Sequence, residues 1–294
     1  MLKIALRHMV RGDKKMHEGL PVPSMEKKRL DIAPNDQASD QQKYDIYYAA
    51  EPNGVTIIDI HGGAYIYSSR KNNVYFAKYF LDRGFNVVEL DYRLNRGSID
   101  THDQVRDLAA ELKHLFAHAE EYGLDPTEMV LTGDSAGGHF SLILAEMIYD
   151  REVAKKIGVD LEGVSIKCVA VNCPVYRFVE IGKGNALTKG AKKFMVGPRF
   201  ADYEYQALVC PEANFHALRH PIFVSTCKND FIREESLMLV EDLKKANLPY
   251  AFKDILVDEP EVAHVHNVIR PYLEQSKAVN EAMVEFFLAS IENK

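Results

Sequence analysis

Val130-Leu131-Thr132-Gly133-Asp134-Ser135-Ala136-Gly137-Gly138-His139 sets a serine between two glycines, Gly133-x-Ser135-x-Gly137. Met129-Val130-Leu131 ahead of it reads as a strand end, and Phe140 to Tyr149 behind it reads as a helix. A serine on a sharp strand-to-helix turn has its hydroxyl lifted clear of the sheet, the arrangement called a nucleophile elbow. Bulky side chains two residues either side would strike strand and helix, so glycine stands there. The helix starts directly beneath the serine. Its free N–H groups and positive dipole end then face any negative charge that forms there. Small residues match the five-residue pattern by chance; the flanking strand and helix give the match its weight.

The rest of the chain is ordinary for a water-exposed globular protein: 294 residues, 47% hydrophobic and 27% charged. Glycine and proline are scattered, so one domain spanning 1–294 is expected rather than two joined by a linker. A net charge of -7 without a long basic run argues against a nucleic-acid partner. No run approaches the roughly 18 apolar residues of a membrane span. The first ten residues lack the apolar core and cleavage site of a secretory signal. Cys168, Cys173, Cys210 and Cys227 match neither a zinc-ribbon spacing nor a dense disulfide frame. They read as free thiols, a Cys168–Cys173 bridge being the alternative, and the expected compartment is the cytoplasm.

Outward from the elbow, Lys27–Ile32 and Lys43–Tyr48 alternate and suit antiparallel strands with one wet side. Val55–Ile60 and Phe85–Leu90 are more continuously apolar and suit buried strands. A helix is expected over Tyr75–Arg83, ended by Gly84, and a long amphipathic one over Asp103–Tyr122. Strands follow over Ile166–Val171, Pro221–Thr226 and Tyr250–Val257, with helices over Glu234–Lys245 and Glu274–Ile291. Strand and helix in alternation from residue 55 onward imply an α/β fold with a mainly parallel sheet and helices on both faces. Residues 1–24, read as a short helix ended by Pro21-Val22-Pro23, and the mixed stretch 176–216 break that rhythm. They are expected to form a small helical cap.

Three features converge on acyl transfer. Ser135 is the first; a serine hydroxyl needs a base, normally a histidine held by a carboxylate. The second is His61-Gly62-Gly63-Ala64 after a buried strand, a loop whose bare N–H groups, with that of Ala136, would form an oxyanion hole. The same residues also suit a plain tight turn. The third is order: Asp230 lies beyond the strand 221–226, and His264 beyond the strand 250–257, giving serine, acid, histidine. His266 is a second candidate base, and Asp258 or Glu259 a second acid. His114 and His118 are four apart on a helix but lack a third ligand, so they read as a solvated face.

His61-Gly62-Gly63-Ala64-Tyr65, Asp91-Tyr92-Arg93-Leu94 and Gly133-Asp134-Ser135-Ala136-Gly137-Gly138 together resemble the hormone-sensitive-lipase-like carboxylesterases of the α/β-hydrolase fold. The match runs over about residues 27–290, and the elbow hexapeptide is its most specific part. The resemblance implies Ser135 as nucleophile, Asp230 as orienting acid and His264 as base. Ala263-His264-Val265-His266-Asn267 looks like the family's His-x-Phe, which selects His264 over His266. Gly63, Ala64 and Ala136 would hold the oxyanion. Two departures stand out: Ala64 replaces a third glycine, and Asn95 stands where the family usually has alanine followed by proline.

The expected activity is hydrolysis of short- to medium-chain carboxylic esters, acetyl esters included, through an acyl-enzyme. No metal or organic cofactor is expected. Tyr65, Tyr67, Phe194, Met195 and Phe200 are candidates for the substrate pocket, with core packing as the competing reading. Two other functions fit the same fold: an amide or formamide hydrolase, and a ligand-binding receptor without chemistry. The expected partner is a small-molecule ester, and self-association as a homodimer is left open.

Overall fold

The computed structural model describes residues 22–178 and 195–292. Its strands are β1 (Lys28–Ile32), β2 (Tyr44–Tyr47), β3 (Thr56–Ile60), β4 (Asn86–Leu90), β5 (Met129–Asp134), β6 (Val169–Asn172), β7 (Ile222–Cys227) and β8 (Tyr250–Ile255). They form one sheet of order β1-β2-β4-β3-β5-β6-β7-β8. β2 runs antiparallel to both β1 and β4, and every later neighbour is parallel. The mainly parallel sheet with antiparallel first strands is the one the alternation implies.

β3, β4 and β5 are buried at every position, which requires packed layers on both faces. Successive side chains on a strand point to opposite faces. Ile58, Ile60, Val88, Leu90 and Leu131 thus meet Val105, Leu108 and Leu112 of helix Thr101–Ala117 and Ile143 of helix Ala136–Met147. Ile57, Val87, Val130 and Phe223 meet Phe76 and Phe80 of helix Val74–Leu81 and Val279, Met283 and Phe287 of helix Glu274–Glu292.

Some boundaries move. The helix expected to reach Tyr122 ends at Ala117, where His118 takes a non-helical backbone and its Nδ1 meets the carbonyl of His114 at 2.9 Å. β6 starts at Val169, three residues later than expected. An unexpected helix, Arg151–Ile157, is held at its start by the Asp150 side chain accepting from the Val153 N–H. Gly158 ends it at φ 77°. The expected N-terminal helix and Phe194 lie outside the described residues, as does most of the proposed cover at 1–24. The elements described in full within 195–217 are the short helices Tyr203–Ala207 and Pro211–Asn214 and a 3-10 turn, Phe215–Ala217. Among the described residues no helix is long and apolar enough to cross a membrane.

Parallel strands bring their carboxyl ends to one edge of a sheet, where open α/β sheets place their ligands. Here that edge carries His61 after β3, Ser135 after β5, Asp230 after β7 and His264 after β8.

Candidate active site

Ser135 follows β5 with φ 52° and ψ -113°, a strained backbone for a residue with a side chain. The surrounding contacts explain the glycines. A Cβ on Gly137 would lie 1.8 Å from the Ile60 carbonyl oxygen, and one on Gly133 would lie 2.5 Å from the Gly137 backbone. Neither contact can be relieved without moving a strand or the helix Ala136–Met147.

Residues distant in sequence meet at this serine. Ser135 Oγ is 2.9 Å from His264 Nε2, and His264 Nδ1 is 2.6 Å from Asp230 Oδ1. Asp230 also accepts from the Thr226 hydroxyl at 2.8 Å and the Ile232 N–H at 3.0 Å. Burial pushes Asp230 up, but His264 and these two donors outweigh it and hold the carboxyl below its ordinary range. It therefore stays charged and can fix the imidazole. The histidine loop is tied down as well. Asn229 Nδ2 donates to the carbonyls of Glu259 and Val262, and Val265, at φ 52°, donates its N–H to Cys173 Sγ at 3.3 Å.

The Gly62–Gly63–Ala64 loop faces the same serine region and is bound to it through Asp134. Asp134 Oδ1 accepts from the Gly62 N–H at 3.0 Å and from Asn73 Nδ2 at 3.1 Å; Asn73 Nδ2 also donates to Asp59 Oδ2 at 2.8 Å. A Cβ on Gly62 would lie 2.2 Å from Asp134 Oδ2, so glycine is required there. Among the described residues, the N–H groups of Gly63, Ala64 and Ala136 have no acceptor. Ala64 keeps its N–H in the left-handed region at φ 51°, a strain that glycine would avoid at a saving of about 1 kcal/mol.

The Asp91-Tyr92-Arg93-Leu94 motif braces this loop from beneath. Asp91 Oδ1 lies 3.0 Å from His61 Nε2, and the Tyr92 hydroxyl donates to the carbonyls of His61 and Gly62. Burial pushes His61 down, but the hydrogen bond and charge of Asp91 and the Gly62 carbonyl prevail and raise it. Arg93 pairs with Asp107, and the buried Arg70 spans Asp45 and Asp91.

The BD-FAE family model matches residues 44–242, which take in the serine turn, the glycine loop and the motif that braces it. The chain belongs to the BD-FAE family. It is an α/β-hydrolase of the hormone-sensitive-lipase-like kind. Esterase B from Lactobacillus rhamnosis superposes with a TM-score of 0.90 over 99% of this chain and 96% of its own, at 24% identity. A bacterial heroin esterase gives 0.70 over 99% and 91%, at 19% identity. EstE1, a thermophilic carboxylesterase cloned from a metagenomic library, gives 0.71 over 99% and 97%, at 18% identity. Likeness at these identities speaks for the fold. No curated protein matches the sequence.

The alternative residues are engaged elsewhere in this BD-FAE chain. His266 is buried with Nδ1 2.9 Å from the Ser276 hydroxyl, and burial pushes it down to about 4, so its ring is neutral. Asp258 pairs with Lys228, and Glu259 accepts from Gln275. His114 Nδ1 meets the Tyr44 hydroxyl at 2.8 Å, and its ring stacks on His118. Cys173 Sγ lies within 4.8 Å of ligand atoms on Asp230 and His264. That thiol is raised well above its ordinary value by burial and by the charge of Asp230, and both imidazole nitrogens are already engaged.

The proposed pocket residues divide. Tyr65 has no exposed surface; its hydroxyl meets His139 Nδ1 at 3.1 Å, and its ring packs edge-on against Phe140 and Phe178. The structure therefore places Tyr65 in the core rather than on a pocket wall, because helix Ala136–Met147 closes over its ring. Tyr67 is half-buried, and Met195 and Phe200 are partly buried against the core. Asn95 has a role that its departure from the family pattern did not reveal. Its N–H donates to the Tyr65 carbonyl and its Nδ2 to the Met195 carbonyl, joining the loop after β4 to the segment beyond residue 194. That joint is reinforced by His102, whose ring stacks at 3.5 Å on Tyr205, and by the Tyr205 hydroxyl donating to Asp100.

Proposed function

We propose that this chain is a serine carboxylesterase acting on short- to medium-chain esters, acetyl esters included. The observation that carries this is the unbroken line of hydrogen bonds Ser135–His264–Asp230, at 2.9 and 2.6 Å. His264 Nε2 takes the serine proton as Oγ attacks the ester carbonyl. Asp230 fixes the imidazole with Nδ1–H turned toward itself and stabilises the imidazolium that forms. The N–H groups of Gly63, Ala64 and Ala136 receive the oxyanion, each donor being worth about 3 kcal/mol in the transition state. His264 then passes its proton to the departing alcohol. Water, activated by the same imidazole, releases the acid and frees Ser135. These steps draw only on the chain's own groups.

Residues 1–24 and 176–216 form the cap of a single catalytic domain in this reading. Four buried cysteines, none in a disulfide, fit a reducing cytoplasm. The deciding experiment treats the protein with an alkyl phosphonate, maps the adduct and compares hydrolysis of butyrate esters by wild type and Ser135→Ala. A single adduct on Ser135 and a rate reduced by about 10⁶ in the variant are expected. A variant that keeps its full rate removes the nucleophile from this reading. An aryl formamide turned over faster than the esters would shift it to amide chemistry.

A further inference from the structure

Phe231 directly follows the acid of the site, yet 80% of its surface is exposed. Its ring centre lies 4.4 Å from that of the His264 imidazole, with the planes tilted by 46°. The turn that presents it is firmly built. Asp230 accepts the N–H of Ile232 on its side chain and that of Arg233 on its carbonyl, and helix Arg233–Lys245 begins at once. The nearby cations have acidic neighbours that offset their charge, Lys228 beside Asp258 and Arg233 beside Asp254. What this side of the imidazole presents is a bare apolar ring.

The chemistry says which part of a substrate passes there. In acylation the imidazole hands its proton to the leaving oxygen, so the alcohol must come within hydrogen-bond reach of Nε2. The carbonyl oxygen meanwhile points to the N–H groups of the glycine loop. A ring resting against the imidazole therefore borders the alcohol side of the ester. Aromatic faces favour flat apolar groups in offset or edge-on contact.

We propose that Phe231 is the platform for the alcohol portion of the substrate, and that the enzyme prefers neutral esters of flat or bulky apolar alcohols to those of small ones. This rests on the esterase reading and adds the leaving-group class to it. Benzyl butyrate and methyl butyrate test it, because they share one acyl-enzyme and differ in the alcohol. Phe231→Ala should lower kcat/KM for benzyl butyrate about tenfold and for methyl butyrate by less than about twofold, reflecting the lost apolar contact. Phe231→Leu should retain most of the benzyl rate. The ring is exposed, so the fold is expected to tolerate both variants. Equal losses on both esters would reduce the ring to a shield for the imidazole and overturn the proposal, as would an unchanged benzyl rate. Wild-type protein that hydrolyses neither ester and takes no phosphonate on Ser135 defeats the esterase reading itself, a separate outcome.

Discussion

Asn73→Leu tests how the glycine loop is held. Leucine keeps much of the volume and removes both donated bonds, to Asp59 at 2.8 Å and to Asp134 at 3.1 Å. Hydrogen bonds to charged groups contribute about 1.5–3 kcal/mol each. The loss should fall near the lower end of the pair's sum, at about 3 kcal/mol, because protonation can relieve one of the stranded carboxyls. Asp59 is placed to do so: burial and the charge of Asp134 already push it up to about 7. The effect on turnover arises through Asp134. Burial raises its pKa, while the Asn73 bond is the first of the influences opposing that rise. Without Asn73, Asp134 moves toward the neutral acid, a weaker acceptor for the Gly62 N–H. Loss of a whole oxyanion donor costs about 10²–10³ in kcat, so a loosened loop should cost roughly 10–100-fold, with KM little changed. The assay is kcat and KM on a short-chain ester, normalised to sites titrated with phosphonate, beside urea unfolding. An unchanged kcat per titrated site, together with a lowered urea midpoint, would make Asn73 a stabilising residue only and refute the positioning argument.

Two further changes probe other parts of the molecule. Asp230→Asn removes the charge that turns Nδ1–H of His264 toward the acid; kcat should fall on the order of 10⁴-fold with binding retained, read in single-turnover acylation. Glu146 is buried with neither carboxyl oxygen hydrogen-bonded, and burial followed by the charge of Asp150 raises its pKa well above the ordinary value. Between about pH 4.3, where the unfolded chain sheds this proton, and the higher folded pKa, the folded state holds more protons and loses stability as pH rises. Glu146→Met should therefore gain on the wild type as pH rises above about 5, by up to about 1.4 kcal/mol per pH unit until the folded carboxyl ionises, in urea titrations. Parallel stability curves would mean that the acid is not stranded.

The legible parts of the site were those whose chemistry is local. Gly133, Ser135 and Gly137 announce themselves because one turn imposes contacts of 2.5 Å or less on any added Cβ. Strands β3 to β5 are legible because burial on both faces demands nearly unbroken apolar runs. Asn73 and Asn229 were not legible. Each acts on a partner whose position only the fold supplies, and a lone polar residue in a loop has no distinguishing spacing. Thr226 was hidden differently: it sits in β7 and reads as an ordinary strand residue, though its hydroxyl donates to Asp230 four residues on. Phe231 was hidden for the opposite reason: beside an acid and before a helix, an aromatic residue reads as core. Tyr65 shows the converse error. Its place after the glycine loop suggests a pocket wall, but its hydroxyl is taken by a histidine four residues beyond Ser135 in the chain. The end of helix Thr101–Ala117 was misplaced because its apolar pattern continues into turns that keep the same face inward.

All four cysteines are buried and none forms a disulfide. Burial raises the thiol of Cys168 to about 12 and that of Cys227 to about 11, and it holds Cys173 well above its ordinary value. Thiolates are what alkylating dyes capture, so these native sulfurs should stay dark under labelling conditions. The molecule is thus a ready host for one engineered surface thiol. A fluorophore placed at the rim of the site would report ligand arrival without any prior removal of the natural cysteines.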